Sequence, residues 1–166
     1  MTTKDQSTTV VVGLGELKLT EDPSEILTCL GLGSCIGICA YDPVAKVAGM
    51  VHVVLPSSAG REGTPSPRYA DVAVPALLEA MQQKGALVSR MIIKIAGGAQ
   101  MSLAGGHGSA FQIGEQNTAV IKEILAEKRI KIQGADTGGN HGRTMRFYLD
   151  SGKTFITTAG KETQEI

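Results

Sequence analysis

The chain has 166 residues, of which 42% are hydrophobic and 19% are charged, as is typical of one soluble globular domain. Its formal net charge is zero, which argues against a nucleic-acid-binding or membrane-surface protein. No stretch approaches the roughly 18 apolar residues of a membrane span, so we expect no membrane insertion. Cysteines are few and no signal core precedes them, which predicts reduced thiols in the cytoplasm.

The first part of the chain has the pattern of short strands separated by glycine turns. Residues 8–19 predict one strand with a glycine bulge, and residues 26–28 predict a short strand that leads into Gly31 and Gly33. An apolar run at 36–41 follows directly, with Cys35 at the first position of the predicted strand. Backbone N–H groups of a Gly33-Ser34-Cys35 turn are suited to stabilising a thiolate or an adjacent oxyanion.

A second apolar run at 47–55 predicts the partner strand of a β-hairpin. If residues 42–45 form the connecting loop, the register places Cys35 directly opposite His52, with Cβ atoms about 4.5–5.5 Å apart. A cysteine beside a histidine is the arrangement that activates a thiol to attack a carbonyl carbon. A buried structural cysteine and a core histidine are the alternative reading of the same residues.

Other uses of the cysteines are less consistent with their spacing. Cys35 and Cys39 lie roughly 13 Å apart along one strand, too far to bind one metal ion together. Cys29, Cys35 and His52 remain a conceivable set of three ligands, although we expect no metal and no other cofactor. The chain has no Cys-x-x-Cys redox motif and no Gly-x-Ser-x-Gly hydrolase motif.

The rest of the chain predicts two amphipathic helices within a β-rich order. The helices are expected at 70–84, with Asp71 as N-cap and Gly85 as the stop, and at 113–129. Strands are expected at 90–96, 130–134, 144–149 and 154–158. His107, in a glycine-rich loop, receives no role. The fold class is therefore α/β: a β-rich sandwich with a mixed sheet and two helices on one face, in a single domain at 1–166 with polar tails at 1–7 and 161–166.

Several short motifs resemble those of the CheD family of chemoreceptor glutamine deamidases. They follow the family's order along nearly the whole chain. They are Leu30-Gly31-Leu32-Gly33-Ser34-Cys35, Asp42-Pro43, Gly49-Met50-Val51-His52-Val53-Val54-Leu55-Pro56, Arg68-Tyr69-Ala70-Asp71, Ala96-Gly97-Gly98-Ala99, Ile113-Gly114-Glu115-Gln116-Asn117, and Asp136-Thr137-Gly138-Gly139-Asn140 with Arg143.

The resemblance implies a cytoplasmic enzyme, a protein-glutamine glutaminase of the Cys–His type. Such an enzyme hydrolyses glutamine side chains on methyl-accepting chemotaxis receptors to glutamate and ammonia. Cys35 then matches the family nucleophile and His52 its general base, with Gly33 and Ser34 in the oxyanion turn. Cys29 stands where well-studied relatives have a threonine that completes the site, and Thr28 is the neighbouring candidate for that role.

The resemblance also implies a CheC-type phosphatase as a possible partner. The alternative function is therefore a chemotaxis binding module that docks such a phosphatase or a receptor with weak or no catalysis. A thiol-based redox sensor is a third reading. Release of ammonia in the presence of receptor separates the enzyme from both.

Overall fold

Two five-stranded β-sheets face each other, and two helices cover the far side of one of them. The computed structural model describes residues 6–60, 62–101 and 109–166. The central sheet has the strand order β2-β5-β4-β6-β7, and the outer sheet has the order β1-β3-β8-β9-β10. The strands are β1 Thr8–Val11, β2 Leu17–Thr20, β3 Glu25–Leu32, β4 Ile36–Asp42, β5 Val47–Val53, β6 Ile92–Gly97, β7 Ile132–Thr137, β8 Arg143–Tyr148, β9 Lys153–Thr158 and β10 Gln164–Glu165.

The central sheet is buried on both faces because its strands are apolar at nearly every position. Alternate residues such as Ile36 and Ile38 pack against the helices, in one cluster with Leu77 and Ile121. The residues between them, such as Cys39, pack against the outer sheet. This follows from the two-residue period of a strand, which sends neighbouring side chains to opposite faces. The inter-sheet layer is the one that contains Cys35.

The predicted α/β class is confirmed, as is the packing of both helices on one face. Each sheet is mixed, since β1 pairs with β3 in parallel and β6 pairs with β7 in parallel. The strands form two sheets where the sequence predicted one. The strand predicted at 8–19 accounts for part of this difference, because it is two strands in different sheets, and a turn with Gly15 at φ 71° carries the chain across.

The helices lie close to their predicted positions. Helix α1 spans Ala70–Gln83, and Gly85 follows its C-cap with φ 91°. The N-cap is Tyr69 and not Asp71, whose carboxylate instead accepts hydrogen bonds from the backbone and hydroxyl of Ser58. Helix α2 spans Ser109–Glu127, and so begins before the predicted residue 113. His107 lies outside the described residues.

The strands after α1 begin or end within a few residues of the predicted positions. A short 3₁₀ helix at Val88–Arg90 delays the start of β6, and β7 extends past its predicted end to Thr137. The segment predicted as a polar tail at 161–166 is exposed at most positions, but Gln164 and Glu165 pair with β9. The N–H groups of Lys161 and Ile166 also donate to the carbonyls of Thr158 and Thr154, so both ends of this segment are bonded to β9.

The hairpin register differs from the prediction by two residues. His52 lies opposite Gly37, not opposite Cys35, and Asp42 pairs with Val47 inside the ladder. The loop therefore starts one residue later than expected, at Pro43. Its start is set by Asp42, whose Oδ1 accepts the N–H groups of the second and third loop residues, while Lys46 closes the loop with φ 53°. A shift of two preserves the face, because side chains alternate with a period of two.

Asp42 is a structural anchor of this hairpin. Its carboxylate also accepts the N–H of Leu87 and pairs with the Arg90 guanidinium at 2.9 Å. Burial alone would raise the pKa of Asp42, but these hydrogen bonds outweigh that effect and lower the pKa to about 2. Asp42 thus holds the loop between β4 and β5 in place, at the end of the hairpin distant from Cys35.

Candidate active site

The turn that carries Cys35 is fixed through its backbone carbonyl groups. The N–H of Ala99 donates to the Gly33 carbonyl at 2.8 Å, and the N–H of Gly98 donates to the Cys35 carbonyl at 2.8 Å. Between them, the side-chain amide of Asn117 donates to the Ser34 carbonyl at 3.0 Å. All three carbonyls of the turn are therefore held by the segment after β6 and by α2.

The backbone N–H groups of the same turn, unlike its carbonyls, are not hydrogen-bonded within the part of the chain that the structure describes. Among the described residues, the N–H groups of Gly33, Ser34 and Cys35 have no hydrogen-bond partner. In a trans peptide the C=O of one residue and the N–H of the next point in opposite directions, so the bonds to the Gly33 and Ser34 carbonyls turn the N–H groups of Ser34 and Cys35 away from Ala99 and Asn117. Unpaired backbone N–H groups beside a nucleophile can stabilise a developing oxyanion.

His52 is buried and its ring orientation is determined by a backbone carbonyl. Its Nδ1 lies 3.0 Å from the carbonyl oxygen of Val12, in the turn between β1 and β2. A carbonyl only accepts hydrogen bonds, so Nδ1 carries the proton and Nε2 carries the lone pair. Nε2 is buried and has no partner among the described residues. The ring is thus in the tautomer that a general base requires.

Cys35 and His52 lie on the same face of the central sheet. His52 is opposite Gly37, and Cys35 is two residues before Gly37 and packs against the inter-sheet cluster. The two residues are therefore diagonal neighbours, for which separations are about 7–8 Å between backbone positions and somewhat less between Cβ atoms. Gly37 has no side chain, and the Met145, Leu32 and Cys29 side chains fill the space beside it, 3.0–3.3 Å from where a Cβ would be.

Burial keeps both groups neutral at rest. It raises the pKa of the Cys35 thiol, and the nearby Arg68 guanidinium opposes that rise. It lowers the pKa of His52, against the hydrogen bond to Val12 and the charge of Glu16, which both favour the imidazolium. A neutral thiol beside a neutral imidazole suits proton transfer at the moment of attack, rather than a permanent ion pair.

Cys29 lies in the inter-sheet core, near Cys35. A Cβ added to Gly37 would be 3.3 Å from the Cys29 sulfur, and burial raises the Cys29 pKa to about 12. Among the described residues no hydrogen bond joins Cys29 to His52; the imidazole bonds to Val12 instead. Thr28 is on the other face of β3, with its hydroxyl donating to Ile26. Neither residue orients the ring in this structure.

The described residues also contain no group of three or more His, Cys, Asp or Glu side chains arranged to bind a metal ion. The three-ligand set of Cys29, Cys35 and His52 is therefore not assembled. In the same part of the chain, no helix is both long enough and apolar enough to cross a membrane.

Two residues near Cys35, Arg68 and Asn117, stand in the motifs that carry the family resemblance, but sequence reasoning gave neither of them a role in the site. Arg68 acts on the thiol electrostatically, and its Cβ lies 3.3 Å from where a Cβ of Gly15 would be. Asn117 holds the Ser34 carbonyl. The signal for Asn117 was present in the helix pattern, since it lies four residues before Ile121, on the face that α2 buries.

Comparison with known proteins relates this chain to one family. A family model described as CheD, chemotactic sensory transduction, matches residues 54–158. The probable chemoreceptor glutamine deamidase CheD of Symbiobacterium thermophilum is 42% identical over 158 residues, covering 93% of this chain and 95% of that protein. The chemoreceptor glutamine deamidase CheD of Thermotoga maritima is 42% identical over 150 residues, covering 90% and 92%. Among solved structures, the hypothetical protein YfiH of Bacillus licheniformis aligns with TM-score 0.46 and 12% identity, over 81% of this chain and 60% of that chain.

Proposed function

The chain belongs to the CheD family, and from that premise we propose that it hydrolyses glutamine side chains of methyl-accepting chemoreceptors to glutamate and ammonia. We further propose that Cys35 is the nucleophile and His52 the general base. The observation that carries this assignment is the turn around Cys35, whose carbonyls are all bonded while its N–H groups remain available.

The first half of the reaction forms a thioester. Nε2 of His52 takes the thiol proton of Cys35 as the sulfur attacks the amide carbon of the glutamine. The amide oxygen becomes an oxyanion, which the N–H groups of the Gly33-Ser34-Cys35 turn stabilise. Removing one such donor costs about 3–4 kcal/mol in comparable sites. The protonated imidazole then gives its proton to the departing nitrogen, which leaves as ammonia.

The second half releases the product. Nε2 of His52, again unprotonated, takes a proton from water, and the resulting hydroxide attacks the thioester carbon. The same N–H groups hold the second oxyanion. Its collapse breaks the C–S bond, the thiolate recovers a proton from the imidazolium, and a glutamate side chain remains. His52 mediates each transfer to and from sulfur, nitrogen and water, and the carboxylic acid that forms loses its proton to solvent to give glutamate.

The surface near the turn favours a protein substrate. Leu30 is 50% exposed and Met101 is 44% exposed, and the Met101 side chain lies 3.2 Å from where a Cβ of Gly33 would be. Exposed apolar side chains beside a reactive group suit contact with the apolar positions of a receptor helix. We propose accordingly that the reaction takes place in the cytoplasm.

A role as a docking module for a CheC-type phosphatase is the second candidate. Cys29 motivates it, because it stands where well-studied relatives have a threonine of the active site. On that reading the chain binds its partners but deamidates slowly or not at all. The hydrogen bond from His52 to Val12 favours the enzyme, since it orients the imidazole without a side chain at position 29.

The decisive experiment is an assay on a purified chemoreceptor cytoplasmic fragment. Ammonia is measured, and glutamine-to-glutamate conversion is mapped by mass spectrometry, for the native chain, Cys35→Ala and Cys39→Ala. Cys39 is the matched control because it is a fully buried thiol in β4 that faces the same inter-sheet layer. We expect activity in the native chain and Cys39→Ala and none in Cys35→Ala. No ammonia from the native chain, together with stimulation of a CheC-type phosphatase, would favour the docking module.

A further inference from the structure

We infer that Asn117 is a positioning residue for the reaction proposed above, because its side chain holds the peptide group that carries the Cys35 N–H. This inference rests on the proposed function and assigns a role to a residue outside the Cys35–His52 pair. Asn117 does not touch the reacting atoms; it acts through the turn.

Asn117 joins three elements of the fold from a buried position on α2. Its Nδ2 donates to the Ser34 carbonyl at 3.0 Å and to the Val54 carbonyl at 3.0 Å. Because both partners are carbonyls, which only accept, the orientation of the amide is fixed by its contacts. One side chain therefore links the nucleophile turn to the chain two residues beyond His52, and sets their separation.

The geometry of the peptide group turns this contact into control of an oxyanion donor. The Ser34 carbonyl and the Cys35 N–H belong to one planar trans peptide and point in opposite directions. The bond from Asn117 holds the oxygen toward α2, so the Cys35 N–H points away from the helix. The neighbouring carbonyls of Gly33 and Cys35 are held by backbone N–H groups, which substitution does not remove.

Helix packing alone does not account for an asparagine at this position. The side chain is fully buried, and its Oδ1 has no partner in the described part of the chain. Burying an amide oxygen without a hydrogen bond is unfavourable, whereas an apolar residue here would continue the buried face that includes Ile121 and Leu125. The amide is therefore explained by its two donor contacts.

The test compares Asn117→Ala and Asn117→Leu with Ile121→Ala. Ile121→Ala removes buried carbon atoms from the next turn of the same helix, which controls for destabilisation without touching the Ser34 carbonyl. Asn117→Leu nearly keeps the side-chain size and branching, removes both donors and buries no polar atom of its own, so it serves if the alanine variant does not fold. Each protein is assayed for kcat and KM on the receptor fragment and for the rate of Cys35 alkylation by iodoacetamide.

We expect both Asn117 variants to lose about 100-fold in kcat with KM within about threefold, as for removal of one oxyanion donor. Alkylation forms no oxyanion, so its rate should stay within about threefold of the native rate. Ile121→Ala should keep nearly native kcat.

Equal kcat for the Asn117 variants and Ile121→Ala would overturn the inference, as would a parallel loss of deamidation and alkylation, which would mean that the thiol itself had moved. Absence of deamidation by the native chain would instead refute the proposed function, and with it this role.

Discussion

Gly97 supports the Cys35 turn from β6, and adding one methyl group there tests whether the position of the turn determines the rate. A Cβ at Gly97 would lie 2.1 Å from the Cys35 carbonyl oxygen, and the residue has φ 114°. Real Cβ contacts essentially never fall below 3.0 Å, so in Gly97→Ala the turn and β6 must separate by about 1 Å.

The expected loss of activity follows from that displacement. A misplacement of about 1 Å at a reacting centre can cost about 100-fold in rate, or about 2.7 kcal/mol of transition-state stabilisation. The positive φ adds a separate cost in stability of about 1–2 kcal/mol for a residue with a Cβ. Gly97→Ala should therefore lose both activity and stability, with the activity loss exceeding what unfolding explains.

Gly85→Ala is the matched control. Gly85 has φ 91°, and a Cβ there would meet no atom within 4 Å. It therefore carries a similar backbone strain without the clash at the turn. The assay is receptor deamidation followed by mass spectrometry at a temperature below both melting transitions. We expect about 100-fold lower kcat/KM for Gly97→Ala and near-native kcat/KM for Gly85→Ala. Equal activity in the two variants would refute the link between turn position and catalysis.

Three further outcomes follow from the described contacts. Cys29→Ala should deamidate within about threefold of the native rate, because the imidazole is held by Val12; a loss of about 100-fold would instead make Cys29 a member of the site. Because burial lowers the pKa of His52, kcat/KM should hold at pH 6.5 and fall only below it; a fall in kcat/KM that begins above pH 6.5 would contradict this. For the same reason the free energy of unfolding should decline as the pH drops below 6.5 in the native chain, and should decline less in His52→Gln. Asp42→Asn should lower the free energy of unfolding at neutral pH by about 2 kcal/mol, which is the equivalent of a pKa lowered from 3.8 to about 2. Urea titration at pH 7 and at low pH should show the difference in unfolding free energy between the native chain and the variant shrinking as the pH falls through that range.

The sequence predicted the class of fold more reliably than the exact pairing of the strands. Apolar runs on either side of the loop at 42–45 were enough to predict the hairpin. The register was wrong by two because Asp42 caps its own loop with side-chain hydrogen bonds and so moves the loop start by one residue. That effect depends on the contacts of one carboxylate, and a count of loop residues does not include it.

Other features of the site could not be predicted because they join distant parts of the chain through the backbone. The partner of the imidazole is a carbonyl of Val12, which lies 40 residues earlier and in a turn between the two sheets. A backbone carbonyl has no residue signature, so the family resemblance pointed to a side chain at 28 or 29 instead. A role for Asn117 was easier to predict, since a polar residue on the buried face of a predicted helix needs a hydrogen-bond partner.

Trapping the proposed thioester tests the central claim most directly. Hydroxylamine competes with water for a thioester, so the reaction in its presence should leave a hydroxamate on the same receptor glutamines that otherwise become glutamate. The account predicts this product with the native chain and with Cys39→Ala, and its absence with Cys35→Ala. Hydroxamate formed by Cys35→Ala, or glutamate formed by the native chain with no hydroxamate at any hydroxylamine concentration, would contradict attack by Cys35.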